Sequence, residues 1–284
     1  MVDRFDPDLL CETIARERIS MTVLVPTIIY GLLDSPAVER NDLSSLELLV
    51  YGASPMSVTR LEQGLDRLGP VFSQLYGQTE CHPIAVLPRE DHDPLFPDRL
   101  TACGYPSHSS MIALLDPEGN RVRQGDSGEI CVRSPGIMGG YWRQPELTET
   151  ALAGGWLHTG DVGRFDEEGR LYIVDRIKDL IITGGFNVYP REVEDAIAAV
   201  PGVAMSAVMG VPDPKWGEAV VAAVVAMPGA KLDPLEIMNA VKATRGPVYA
   251  PKKVRIVDAL PLTAAGKVDK KILKERQDDM WADG

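Results

Sequence analysis

Tyr76-Gly77-Gln78-Thr79-Glu80 follows an apolar run and combines residue types suited to a phosphate-bearing ligand. Glycine lets a backbone approach closely, threonine offers a hydroxyl, and glutamate supplies the hard oxygen that Mg2+ prefers. A plain turn with an exposed acid would look the same. In a second cluster, Gly155-Trp156-Leu157-His158-Thr159-Gly160-Asp161, an aspartate sits on what reads as a Gly-flanked loop. Its carboxylate could accept two hydrogen bonds from the vicinal hydroxyls of a ribose, although capping a turn is the plainer use. The third cluster runs from Asp175 to Pro190 and puts Arg176, Lys178 and Asp179 between two apolar segments, ahead of Gly184-Gly185-Phe186-Asn187. It reads as a domain linker with a charged pivot, against the alternative of an ordinary solvated turn. In the fourth, Leu262 to Asp269, Lys267 follows Gly266 on a flexible loop and can reach a phosphate or a developing negative charge. A lone lysine is more often simply solvated. A P-loop is excluded, because Lys267 is followed by Val268 and no glycine lies five positions before Gly266.

Composition narrows the partners. The net charge of −12 disfavours nucleic acid and anionic membrane, so a polyanion site must be built locally from a few cations and backbone N–H groups. The four cysteines, Cys11, Cys81, Cys103 and Cys131, show no CxxC spacing, which argues against a zinc site or a disulfide framework and for a reducing cytoplasm. The longest apolar run, around Met21–Tyr30, is interrupted by Pro26 and too short to span a bilayer, and the first residues carry no signal-peptide pattern.

The elements that must hold these clusters change character along the 284 residues. Up to about residue 100, Leu9, Leu10 and Ile14 at helical spacing, the run 46–52, the helix 57–68 and the run 71–77 predict an α/β layer with functional loops at strand ends. From 101 to 177, short strands at 111–116, 129–135 and 170–175 between Gly-rich turns predict a small β-barrel-like subdomain or antiparallel sheet. From 178 to 284, a helix beginning at Pro190, strands at 203–211 and 219–226, and a helix opening at Asp233 predict a compact α+β domain.

In order and spacing the segments YGQTE, GEICVRSPGIMGGYW, GWLHTGD, DRIKDLIITGGFNVYPREVE and PLTAAGKVDK resemble the motifs of the adenylate-forming superfamily. VPTIIYGLLDSP and VYGASPM resemble its fatty-acyl and aryl CoA ligases more than its adenylation domains. The resemblance covers about residues 20–275. It implies that a carboxylic acid attacks the α-phosphate of ATP to give acyl-AMP and pyrophosphate, and that the thiol of CoA then displaces AMP. It further implies that Glu80 coordinates Mg2+ and Thr79 bonds a phosphate oxygen. Gly52, Ala53, Ser54 and Tyr76 would flank the adenine, with Gly77 in the same cofactor-binding set. Asp161, helped by Arg176, would grip the ribose, and Lys267 would stabilise charge during adenylation. Lys178 would be the hinge of a mobile C-terminal lid. Its rotation would bring Gly184 and Gly185 to the site for the pantetheine arm, with Trp216 near the CoA nucleotide.

The family's Ser/Thr/Gly-rich phosphate loop has no counterpart between Met1 and Tyr76. Residues 1–177 therefore correspond to the later part of the family's large domain, and little adenylation is expected of the 284 residues alone. Two other readings stay open: a CoA- or nucleotide-binding module without turnover, and an adenylation enzyme that loads a carrier protein.

Overall fold

The computed structural model describes residues 6–263, 267–276 and 281. Two compact units divide the chain, Met1–Ile173 and Val174–Gly284.

In the first unit, the Asp6 carboxylate accepts the Leu9 N–H and Pro7 takes the first helical position, which starts helix α1 (Pro7–Glu17). β1 (Met21–Leu24), α2 (Pro26–Leu33), α3 (Ala37–Arg40), β2 (Leu48–Gly52), α4 (Val58–Leu68) and β3 (Phe72–Gln78) follow. β1, β2 and β3 are parallel neighbours. Helices contribute Ile14, Ile29, Leu33 and Leu61 to a core shared with Leu49, Tyr51 and Phe72 of the strands. The carboxyl ends of β2 and β3 therefore finish side by side, Gly52 opposite Leu75, at the edge where α/β sheets bind ligands. β4 (Cys81–Leu87) and β5 (Tyr105–Pro106) extend this sheet antiparallel.

The 101–177 region takes the antiparallel-sheet alternative and not the barrel-like one. β6 (Met111–Leu115), β7 (Gly128–Arg133), β8 (Leu157–Phe165) and β9 (Leu171–Arg176) form an open four-stranded sheet in chain order, with α5 (Pro145–Ala151) in the β7–β8 connection. Closing a barrel requires consistent tilt and stagger around the ring, and four sequential strands leave two edges instead. The apolar face is covered by the first sheet: Ile130, Val132, Leu157 and Leu171 share a core with Tyr76, Ile84 and Ala85.

The second unit contains β10 (Ile181–Thr183), β11 (Phe186–Val188), α6 (Pro190–Ala198), β12 (Val203–Asp213), β13 (Gly217–Ala226), α7 (Pro234–Arg245), β14 (Lys253–Ile256) and α8 (Lys270–Glu275). Its sheet runs β11-β10-β13-β12, and β14 pairs with β13. β13 is apolar on both faces because it is central. Val220, Ala222 and Val224 pack with Val193, Ile197, Ile237 and Val241, while Val221 and Ala223 pack with Ala207, Met209 and Leu273 on the other side. Among the described residues no helix is long and apolar enough to cross a membrane.

Candidate functional site

Alternate residues of a strand share a face, so Tyr76 and Gln78 of β3 point the same way, and both reach Asp161 of β8. Tyr76 Oη donates to Asp161 Oδ2 at 2.7 Å, and Gln78 Nε2 donates to the same oxygen at 2.9 Å. Gln78 Nε2 also donates to the Thr159 carbonyl oxygen at 2.9 Å. Asp161 is 3% exposed. Burying a carboxylate is costly unless donors replace water, and each hydrogen bond to a charged group contributes roughly 1.5–3 kcal/mol net. Burial, followed by the Asp161 charge, pushes the Tyr76 phenol far above its usual range, so it remains a donor.

Asp161 does not lie on a loop, as its flanking glycine suggested, but within a strand. The β7–β8 register steps from Glu129↔Val162 to Cys131↔His158, leaving Thr159-Gly160-Asp161 as a bulge opposite Ile130. Gly160 supplies a φ of +69°. Thr159 Oγ1 donates to the Ile130 carbonyl at 2.7 Å and accepts the Asp161 N–H at 3.1 Å, and Glu129 Oε1 accepts the Gly160 N–H at 3.1 Å. The bulge turns the Asp161 carboxylate toward β3.

Thr79 and Glu80 are the two turn residues between β3 and β4, where Gln78 pairs with Cys81. Glu80 Oε1 accepts the Tyr141 hydroxyl at 2.8 Å. Its second oxygen and the exposed Thr79 hydroxyl offer hard donors at an accessible turn, a set that fits a partly hydrated Mg2+. At the neighbouring strand end, a Cβ on Gly52 would stand 2.2 Å from the Leu75 carbonyl oxygen, so only glycine lets β2 and β3 finish this close. Ala53 follows with a φ of +69°, turning the chain out of the sheet toward Ser54. Gly77 lies at a break in the β3–β4 register, where a Cβ would meet the His82 ring at 2.6 Å.

The second unit holds the other candidates. Arg176 ends β9 and Lys178 lies in the 3-10 turn Ile177–Asp179, both exposed. Just before Arg176 in β9, the buried Asp175 carboxylate accepts the N–H groups of Arg176 at 2.6 Å and of Arg191, in α6, at 2.9 Å. Gly184 and Gly185 form the two-residue turn joining β10 and β11, with φ of +58° and +82°, as primed hairpin turns require. The structure brings Gly184 against Trp216: its N–H donates to the Trp216 carbonyl at 2.8 Å, and a Cβ there would stand 2.9 Å from the indole ring. The indole is 39% exposed, and Lys215 and Lys252 hold their ammonium groups 4.8 and 5.5 Å from its centroid. An exposed ring beside two cations suits a purine and its phosphates. Lys267 stands on a separate loop closed by the Leu262–Val268 bridge, its carbonyl accepting the Thr263 N–H at 2.7 Å. The intervening Ala264, Ala265 and Gly266 lie outside the described residues.

Gln78, Tyr141 and Glu129 are site residues that the sequence reading did not single out. The two-residue spacing from Tyr76 could have indicated Gln78 once a strand was assigned there. Nothing local marks Tyr141 or Glu129, whose partners lie 61 and 29 positions away.

The family model for the AMP-binding enzyme matches residues 1–142, and that for the AMP-binding enzyme C-terminal domain matches residues 192–267. The chain belongs to the AMP-binding enzyme family. Over 281 residues it is 50% identical to the medium/long-chain-fatty-acid–CoA ligase FadD8 of Mycobacterium tuberculosis, covering 96% of this chain and 49% of that protein. A feruloyl-CoA synthase from Amycolatopsis is 38% identical over 96% of this chain and 55% of its own length. The chain thus spans about half the length of the curated relatives it matches. Among solved structures, amide bond synthetase McbA from Marinactinospora thermotolerans superposes with a TM-score of 0.92 at 43% identity, covering 96% of this chain and 56% of that one. ATP-bound MatB from Rhodopseudomonas palustris superposes with a TM-score of 0.89 at 36% identity, covering 99% and 55%. The predicted resemblance and the mixed α/β architecture both stand.

Proposed function

We propose that these residues serve an ATP-dependent carboxylate–CoA ligase acting on a fatty or aryl acid. The observation that carries the reading is the buried Asp161 carboxylate, fixed by Tyr76 and Gln78 within a chain half identical to a fatty-acid–CoA ligase. Asp161 accepts the ribose hydroxyls of ATP and then of acyl-AMP, with Arg176 assisting. Gly52, Ala53, Ser54, Tyr76 and Gly77 line the adenine side. Thr79 bonds a phosphate oxygen, and Glu80 holds Mg2+, which neutralises phosphate charge when bound. Lys267 stabilises the charge that develops as the acid attacks the α-phosphate, a contribution of about 2.7–4 kcal/mol for a well-placed donor. Residues 178–284 act as a lid that pivots at Lys178, after which Gly184 and Gly185 admit the pantetheine arm. Residues 1–177 belong to the large domain. Four cysteines without a disulfide fit a reducing cytoplasm.

CoA as acceptor is favoured by the Trp216 ring with Lys215 and Lys252. A second reading, transfer to a carrier protein, is favoured by the 37% identity to the fatty acid–[acyl-carrier-protein] ligase ScoC of Streptomyces coeruleorubidus. The nucleotide site is tested by calorimetric titration of the chain with AMP. Asp161→Ala is expected to weaken binding by about 10²-fold, the loss of two charge-assisted hydrogen bonds. Unchanged AMP affinity in this variant would sink the assignment. Incubation with preformed acyl-adenylate and either CoA or a carrier protein then separates the two acceptors by product.

A further inference from the structure

Glu129 and Cys131 lie two apart on β7 and share a face, and His158 is the cross-strand partner of Cys131. One ligand atom from each of the three lies within 4.8 Å of the others. His158 Nδ1 stands 2.8 Å from Glu129 Oε2 and 3.5 Å from Cys131 Sγ. A thiol, an imidazole and a carboxylate could also make a nucleophilic triad, but here the geometry forbids one. A relay needs thiol and carboxylate on opposite ring nitrogens, and both face Nδ1. Cys131 is 0% exposed, and burial, then Glu129, pushes its thiol up to about 12.

Sulfur, nitrogen and oxygen converging on one point is instead the donor set of a borderline or soft divalent cation. Bond lengths of about 2.0–2.3 Å place neighbouring zinc ligands roughly 3.3–3.8 Å apart, so the observed 2.8 and 3.5 Å need adjustments of less than about 1 Å. The outer contacts are already present. His158 Nε2 faces the Ala153 carbonyl at 3.3 Å, an acceptor for the Nε2–H of an imidazole whose Nδ1 binds a metal. Glu129 Oε1 is held by the Gly160 N–H at 3.1 Å, leaving Oε2 toward the cluster. The Glu129 and His158 side chains are 19% and 29% exposed, so water can complete the coordination and an ion can enter.

We propose that Glu129, Cys131 and His158 form a binding site for Zn2+ or Cd2+, distinct in its residues from the Mg2+ position at Glu80. Binding breaks the Cys131 S–H bond and passes that proton to buffer, moves the proton held between His158 Nδ1 and Glu129 Oε2 to Nε2 beside the Ala153 carbonyl, and forms sulfur–, nitrogen– and oxygen–metal bonds with no change of oxidation state. The ion clamps β7 to β8 beside the bulge that carries Asp161. This site does not depend on the ligase reading.

The test is titration of the 284-residue chain with Cd2+, read by the ultraviolet thiolate-to-metal band, and with Zn2+ in competition with a chromophoric chelator. One ion per chain, a thiolate band and release of one proton are expected. Cys131→Ser should abolish the band. His158→Gln should weaken Zn2+ by at least the roughly 10–100-fold that loss of a metal's outer partner costs. Cys11→Ser, Cys81→Ser and Cys103→Ser should leave both readouts unchanged. Circular dichroism of the metal-free variants checks the fold, and Glu129→Gln, which keeps the side-chain shape, replaces any variant that fails it and should weaken Zn2+ by at least tenfold. A wild-type chain without the band, a band that survives Cys131→Ser, or a band lost with another cysteine would each overturn the site.

Discussion

Tyr76 and Asp161 lie 85 positions apart, and the phenol of one donates to the carboxylate of the other at 2.7 Å with both side chains buried. The bond ties β3 of one sheet to the bulge of β8 in the next. Tyr76→Phe leaves the buried carboxylate with one donor fewer while Gln78 remains. Denaturant unfolding should show a loss of about 1–3 kcal/mol, and AMP affinity should fall about tenfold by calorimetry. A variant as stable as the parent would mean that the hydroxyl does not support Asp161.

Gly52→Ala tests the close approach of β2 and β3. Its Cβ would meet the Leu75 carbonyl oxygen, part of the backbone, so the strand ends must separate. Overpacking of this kind costs about 1–3 kcal/mol, visible as a lower denaturation midpoint, and AMP binding should weaken with it.

Gly184→Ala and Gly185→Ala separate clash from strain in the second unit. Both glycines have positive φ, but a Cβ at Gly184 meets the Trp216 ring, whereas nothing among the described residues lies within 4 Å of one at Gly185. Each should lose about 1 kcal/mol or more through backbone strain, read from denaturant unfolding. Only Gly184→Ala should also shift Trp216 fluorescence and raise the KM for CoA in thioester formation from preformed acyl-adenylate. Equal effects of the two on CoA would count against the Gly184–Trp216 contact as part of the acceptor site.

Burial raises the pKa of Asp175 above the ordinary carboxylate value of 3.8, partly offset by the Arg191 and Arg176 N–H groups. The folded chain therefore holds this proton more tightly than the unfolded one. That contribution to stability is fully present below pH 3.8 and is lost as pH rises through the folded-state value. Asp175→Asn removes the titration, so the difference in Tm, variant minus parent, should increase with pH across the window just above 3.8. A constant difference would show that Asp175 titrates alike in both states.

Much of the fold was legible in the sequence because its signals are local. Pro190 and Asp233 mark helix starts, and the apolar runs at 203–211 and 219–226 mark strands. Asp161 reads as a loop residue in the sequence because Gly160 is a loop former in isolation, whereas in the fold it serves a bulge that exists only when β7 pairs with β8. The barrel-like expectation failed similarly: strand patterning is periodic along the chain, but whether a sheet closes depends on which edges meet.

Residue type and spacing sufficed to mark the family, the order of the motifs and the kinds of group each supplies. The pairing of Tyr76 and Gln78 with Asp161, the hold of Tyr141 on Glu80, the packing of Gly184 on Trp216 and the convergence of Glu129, Cys131 and His158 arise in the folded chain alone. Each of these joins residues on different elements, and hydrogen bonds and ring contacts act only over a few ångströms, a distance that strand pairing and packing create.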